Sequence, residues 1–453
     1  MPCRAFSNHF TQRVAAERNV PFVNEHHRRY SCAGSRVYLE CMSLQSGRHE
    51  PSHKPASGRL ARDSVRAWLV VVAAFWALFT VFGVVFSYGA FLGPIAAEFG
   101  TGRAGASVVF SLTSLLFFAL GAVSGPLADR FGPRPLLLAG AAALGIGLAA
   151  ASHADRLWVV YVTYGAGVGI GVGCVYVPVV AAVGGWFECR RTLAVGVTVS
   201  GIGLGTLVAA PLAARLIGAY GWRNTYLGFA IVGSAVLVVC VLLVAAPPGS
   251  AAGGRRGTGA AIRTLTYGWL YLSNFLFSIA LFVPFVHLPA SAEEAGVGTV
   301  AAAGLVGIIG AASIVGRIAL GAVADRAGLL RGYRICFLLV GVSFALWWFG
   351  DGFWPLATFA VVLGVGYGGF VALGPVVLAD LFGVDRLGGL LGVLYTAVGA
   401  GSALGPPAAG LAVDLTGSYT PAIVASALLG LAAYAALLPL DARAGERPDT
   451  NHD

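Results

Sequence analysis

The chain alternates between long apolar runs and short polar breaks, and the runs have the length of membrane crossings. About 20 helical residues, rising ~1.5 Å each, span a hydrocarbon core ~30 Å thick. Runs of that kind recur from residue 68 to residue 440 and predict about twelve spans. The first six are Trp68–Leu92, Ser107–Leu127, Pro135–Ala151, Leu157–Phe187, Thr192–Gly218 and Thr225–Ala245. The second six are Tyr267–Leu288, Val300–Val323, Ile335–Phe349, Phe353–Leu381, Leu387–Leu415 and Pro421–Leu440. Runs longer than a single crossing, such as Leu157–Phe187, are accommodated by tilt or protrusion. Gly and Pro inside the runs argue against soluble helices, but membrane helices tolerate them and use small residues for close packing.

The pattern is duplicated. Gly125-Pro-Leu-Ala-Asp129-Arg130-Phe-Gly132 is followed by Gly321-Ala-Val-Ala-Asp325-Arg326-Ala-Gly328, and an offset of 196 residues carries one onto the other. The same offset maps Trp158 onto Trp354, Gly173 onto Gly369, Arg190 onto Arg386, Gly205 onto Gly401 and Gly221 onto Gly417. An ungapped register over that distance indicates two copies of one unit, the organisation found in secondary transporters.

Composition sharpens the membrane reading. Apolar residues make up 57% of the 453 residues and charged residues 11%, against about 25% charged in soluble domains. The fold class is therefore an all-α polytopic membrane protein of two pseudo-symmetric six-helix halves. Five segments are expected: a polar N-terminal stretch (1–66), the first half (67–246), a Gly/Ala-rich linker (247–264), the second half (265–440) and a charged tail (441–453). Residues 1–66 carry 11 Lys/Arg against 5 Asp/Glu and so supply +6 of the net +9. They contain no apolar stretch of signal-peptide type, and Met42 offers an alternative start. The positive charge points to an anionic membrane leaflet rather than nucleic acid. One set of alternate loops holds Arg130, Arg134, Arg190, Arg191, Arg255, Arg256, Arg263, Arg326, Arg331, Arg334 and Arg386; the other holds only Arg103, Arg156, Arg215 and Arg223. The richer side is expected to be cytoplasmic, which puts both termini inside a cell-membrane protein. The seven cysteines show no metal-ligand spacing. Neither a metal nor a cofactor is implied, and no catalytic constellation argues for an enzyme. Gly167-Val-Gly-Ile-Gly-Val-Gly173 has the glycine spacing of a nucleotide loop but lies inside a span, where helix packing explains it better.

The repeated motif sits at the inner ends of the second and eighth spans. Gly125, Gly132, Gly321 and Gly328 are suited to tight turns and close helix approach. Asp129 and Asp325 are suited to capping a helix or meeting its positive dipole. Arg130, Arg134 and Arg326 anchor at the inner surface. These residues are expected to form gates between the halves. The motif resembles the loop signature of the major facilitator superfamily, across about residues 66–440. Finer features are similar to its monocarboxylate transporter branch and the related oxalate/formate-type carriers. They are Phe86-Ser-Tyr-Gly-Ala-Phe-Leu-Gly-Pro, Trp186-Phe-Glu-Cys-Arg-Arg191, Pro284-Phe-Val-His-Leu288 and Gly316-Arg317-Ile-Ala-Leu-Gly321.

Arg317 is the leading candidate site residue. Eight residues before Asp325, it lies ~12 Å inside the membrane edge. A charge there costs ~2.5–3.5 kcal/mol on insertion scales, so it faces a cavity or a partner. Its repeat mate is Gly121, so the scaffold itself demands no charge at this place. A guanidinium fork suits a carboxylate, and the resemblance implies that role. The competing reading is an arginine that snorkels to the surface or pairs with backbone carbonyls. Tyr176, Asn274, Tyr367 and Tyr395 are further candidates to line a cavity, each weighed against simple helix packing. His287 reads as a residue at the membrane interface, and Glu293 and Glu294 as solvated loop charges. Proton-coupled members of the branch carry a first-span lysine, absent here, and some carry an acid one turn before the key arginine, where this chain has Ser313. Symport with protons, exchange against a counter-anion and facilitated diffusion all stay open. The expected function is transport of a small organic anion, a monocarboxylate above all. The alternative is a drug or metabolite exporter, suggested by Gly401-Ser-Ala-Leu-Gly405-Pro406.

Overall fold

A computed structural model describes residues 64–187, 190–246, 259–383 and 387–440, and among these residues it is helical with no strand. The helices are α1 (Val65–Phe86), α2 (Arg103–Phe131), α3 (Pro133–Ser152) and α4 (Leu157–Trp186). Arg191–Leu243 is one helical segment interrupted at Gly221 (φ 77°), which divides it into α5 (191–220) and α6 (222–243). Then come α7 (Leu265–Glu294), α8 (Thr299–Ala327), α9 (Leu329–Trp348), α10 (Phe353–Phe382), α11 (Leu387–Thr416) and α12 (Thr420–Leu437). Twelve crossings result once the break at Gly221 is counted.

The duplication is visible in the backbone. Gly132 and its mate Gly328 both take positive φ (82° and 100°) where α2 and α8 end, and Gly221 and its mate Gly417 do the same (77° and 68°) between the last two helices of each half. A side chain would be strained at these turns. Gly205 and Gly401 repeat a contact as well. A Cβ on Gly205 would strike the carbonyl of Phe79, and one on Gly401 the carbonyl of Phe275, 196 residues further on. The exporter-like glycine motif is thereby accounted for by packing of α11 against α7. Gly167-Val-Gly-Ile-Gly-Val-Gly173 is likewise a packing device. Gly169 and Gly173 press on Leu116 and Leu120 of α2, while Gly167 and Gly171 press on Gly147 and Leu144 of α3.

Two sequence expectations are corrected. The ninth helix begins at Leu329, not Ile335. Arg331 and Arg334 looked like loop charges, yet Arg334 lies in the helix and donates to the carbonyls of Leu437 (2.8 Å) and Leu438 (3.1 Å) at the end of α12. Arginine satisfies the orphan carbonyls of a helix C-terminus. Arg134 does the same for α6, through Val244 (2.6 Å) and Leu242 (3.3 Å). The first helix starts at Val65, two residues before the expected boundary, behind Ser64, whose side chain accepts from the Ala67 amide. Residues 1–63, most of the linker (247–258) and the tail from 441 lie outside the described residues, as do Arg255, Arg256, Arg386 and the alternative start Met42.

Away from the motif side, Glu98 ends a short helix (Leu92–Glu98) and binds Arg223 (2.5 Å) and the indole N–H of Trp222. Burial alone would raise the Glu98 pKa, but those two hydrogen bonds and the charge of Arg223 outweigh it, so the pKa lies below its ordinary value. The linkage sign follows. This contribution is present above the ordinary carboxylate pKa of ~4.3 and is lost as pH falls through the lower folded value. Because the pair is partly exposed, it is worth under about 1 kcal/mol. Glu98→Gln is therefore expected to lower the melting temperature slightly at about pH 7, and the difference from the native protein should shrink as pH falls below the ordinary carboxylate pKa of ~4.3.

Candidate substrate site

The halves meet closely on the side away from the repeated motif. Asp414, at the end of α11, accepts from the backbone amides of Arg103 and Ala104 (both 2.9 Å), which begin α2. A carboxylate at a helix N-terminus satisfies orphan amides and meets the positive end of the dipole. The Arg103 guanidinium pairs with Glu294 and lies 4.9 Å from the Tyr419 ring centroid. One turn deeper, the His287 Nε2 lies 2.8 Å from the Pro406 carbonyl and 3.2 Å from Ser107 Oγ. His287 is therefore fully buried between the halves rather than at the membrane interface, while Glu294 is exposed as expected and also pairs with Arg103. Sequence reading missed this cluster. Its one visible sign was Arg103, an arginine on the arginine-poor side.

Toward the motif side the helices become more exposed. On α2, Ala106, Val109 and Phe110 are buried, whereas Val123, Leu127 and Phe131 are exposed; on α8, Leu305 and Val306 are buried and Val315 and Ile318 exposed. The gate residues follow this trend. Asp325, Arg326 and Gly328 are exposed, and among the described residues neither Asp325 nor Arg326 forms an ion pair with the other half. Arg130 lies over the neighbouring Phe131 ring (5.1 Å). The Asp129 side chain lies outside the described residues. Gly125 does approach a neighbour, Val177 of α4, but a Cβ on Gly321 would meet nothing within 4 Å. The expectation of close approach therefore fails at Gly321, although Leu320 and Ala324 on either side of it are buried. The structure is closed on one side and loosened on the other.

Between these ends lies a cavity of about 60 Å³, room for on the order of four waters. Tyr176 of α4, Asn274 of α7, Tyr367 of α10 and Tyr395 of α11 all line it. Four candidates scattered along the sequence are thus brought to one place, at the junction of the halves. Tyr333 of α9 joins them and donates to Asn274 Oδ1 (3.2 Å), while Asn274 Nδ2 donates to Leu270 O (2.8 Å). Tyr333 was missed because the late start assigned to the ninth helix left it outside the membrane. Tyr176 of the first half and Tyr395 of the second thus face the same cavity.

Arg317 stands beside this cavity rather than in its lining, within electrostatic reach of Tyr176 and Tyr367. Gly316 lets α8 press against the Val365 backbone of α10, which fixes the helix face that carries Arg317. Its Nη1 donates to the carbonyl of Val199 on α5 (3.1 Å). Its Nε and Nη2 are buried and have no hydrogen-bond partner among the described residues. The carbonyl-pairing alternative therefore accounts for one arm only. Buried donors without acceptors are costly. Nε and Nη2 lie on the same edge of the guanidinium, the edge that grips a carboxylate with two parallel hydrogen bonds.

The profile of the Major Facilitator Superfamily matches residues 74–350 and 318–453. The chain belongs to the major facilitator superfamily. Monocarboxylate transporter 13 of Rattus norvegicus is 29% identical over 384 residues, covering 83% of this chain and 90% of that protein. Monocarboxylate transporter 3 of Rattus norvegicus is 30% identical over 384 residues, covering 81% and 78%. MFS-type transporter 1 of an Ophiocordyceps species is 29% identical over 351 residues, covering 76% and 77%. Within the superfamily, then, the chain falls in the monocarboxylate transporter-like branch. It is a multi-pass membrane transporter of a small organic substrate and not an enzyme.

Proposed function

We propose that this transporter carries a small monocarboxylate anion by alternating access, with Arg317 as the carboxylate ligand. The unpartnered Nε–Nη2 edge of a buried guanidinium, next to a closed-in cavity at the junction of the halves, is the observation that carries this reading. The names of the relatives support the same cargo. Tyr176 and Tyr367 flank the arginine and complete the polar end of the site. Tyr395 and Asn274 hold the cavity wall. The motif side is the cytoplasmic side of the cell membrane, as the arginine distribution indicates, and both termini lie there. Residues 67–246 and 265–440 form the two moving halves and 247–264 joins them. When the inner side closes, Gly125, Asp129, Arg130, Gly132 and Arg134 and their counterparts Gly321, Asp325, Arg326 and Gly328 bring the halves together. A monocarboxylate is expected to raise the melting temperature of the purified protein, since a ligand that binds only the folded state stabilises it. Its uncharged amide should leave it unchanged. Equal stabilisation by both compounds would remove the carboxylate from the site.

In this account the Asp414–Arg103–Glu294 cluster is the outer latch. Each charge-assisted hydrogen bond to a carboxylate is worth ~1.5–3 kcal/mol, so losing those made by Asp414 moves the balance between states at least about tenfold. Asp414→Ala is expected to favour the outward-open form. Placed in that background, Ala106→Cys, at a position buried here, should label at least about tenfold faster with an impermeant maleimide than in the parent.

A further inference from the structure

Beyond the arginine and the tyrosines beside it, the site presents apolar rings. Phe82, Phe117 and Phe118 of the first half and Phe282 and Phe370 of the second line the cavity. Phe118 and Phe282 meet edge to face across the junction, with centroids 6.2 Å apart, and Phe82 and Phe117 do the same within the first half at 5.9 Å. Tyr333 and Asn274 form a closed pair, and Asn274 is also bonded to its own helix. Among the described residues no Asp, Glu, Lys, Arg or His lines the cavity.

We propose that the site selects acids bearing one carboxylate on an apolar body, either a phenyl ring or a branched alkyl chain, over acetate and over dicarboxylates. This rests on the reading of Arg317 as the carboxylate ligand. With the head group on Nε and Nη2, the remainder of the cargo lies among the phenylalanine rings. A flat or branched apolar body replaces water there and packs on aromatic faces. A second carboxylate would meet no second cation, and burying it as an ion is costly. Phe118, which touches the rings of both Phe282 and Tyr395, is the specificity-determining residue of this wall.

The test is exchange in proteoliposomes made with the full chain, using labelled benzoate, isovalerate, acetate and malonate. Benzoate and isovalerate are expected to exceed acetate at least about tenfold in kcat/KM, with malonate not exchanged. Acetate or malonate equal to or better than benzoate would overturn the proposal while leaving Arg317 as carboxylate ligand intact. Failure of every acid, benzoate included, would overturn both. Phe118→Ala should lower the benzoate-to-acetate ratio by about tenfold. That ratio is independent of how much protein inserts, so an unchanged ratio counts against the aromatic wall even if expression falls.

Discussion

Arg317→Ala is expected to insert normally and to lose carboxylate transport by roughly two to four orders of magnitude. The figure follows from two charge-assisted hydrogen bonds at ~1.5–3 kcal/mol each, with every ~1.4 kcal/mol worth tenfold. Insertion should survive because the substitution removes a charge whose placement in the membrane is itself unfavourable. The bond to Val199 is lost too, but it is a single contact between α8 and α5, which also pack through Gly203 and Gly310. Arg317→Lys separates charge from geometry. A lysine keeps the cation but cannot present two parallel donors, so it is expected to restore little of the rate. Recovery close to native activity with lysine would reduce the role of Arg317 to a general positive field. Labelled-acid uptake normalised to the amount of inserted protein is the measurement for both.

Exchange is expected to outrun net transport by roughly two orders of magnitude. The empty site holds a guanidinium with two unsatisfied donors and no acid among the cavity residues to neutralise it. Moving that charge through the closed state costs ~2.5–3.5 kcal/mol on insertion scales, or about a hundredfold in rate. A bound carboxylate removes the penalty, so the loaded carrier reorients readily and the empty one slowly. Efflux of a labelled acid should therefore accelerate sharply when unlabelled acid is added to the other side. No side chain lining the cavity titrates near neutrality, so the saturated exchange rate should stay flat from about pH 6 to about pH 8. Efflux indifferent to acid on the far side, or one driven by a pH gradient at saturating substrate, would contradict this and point to a protonated carrier.

Much of this was legible in the chain. The apolar runs and the 196-residue register define the twelve helices and the two halves, because membrane spans must satisfy their backbone internally and are long and uniform. Arg317 stood out because Gly121, its mate, shows that the scaffold works without a charge there. Tyr176, Asn274, Tyr367 and Tyr395 were individually ambiguous, since a tyrosine that packs and one that lines a cavity look alike in sequence. Only the crossing of α4, α7, α10 and α11 brings them together. Tyr333 was hidden by two arginines that read as loop charges, one of which reaches the end of α12 instead. The outer latch was invisible for a related reason. Asp414 acts on the first amides of α2, 310 residues away, and a helix terminus carries no residue-type signature of what will cap it.

Counterflow tests the central claim most directly. Proteoliposomes loaded with an unlabelled monocarboxylate and diluted into a trace of the same labelled acid should accumulate label transiently, and those made with Arg317→Ala should not. Absence of accumulation for every monocarboxylate, with counterflow of an uncharged or cationic drug in its place, would contradict the account and favour the exporter.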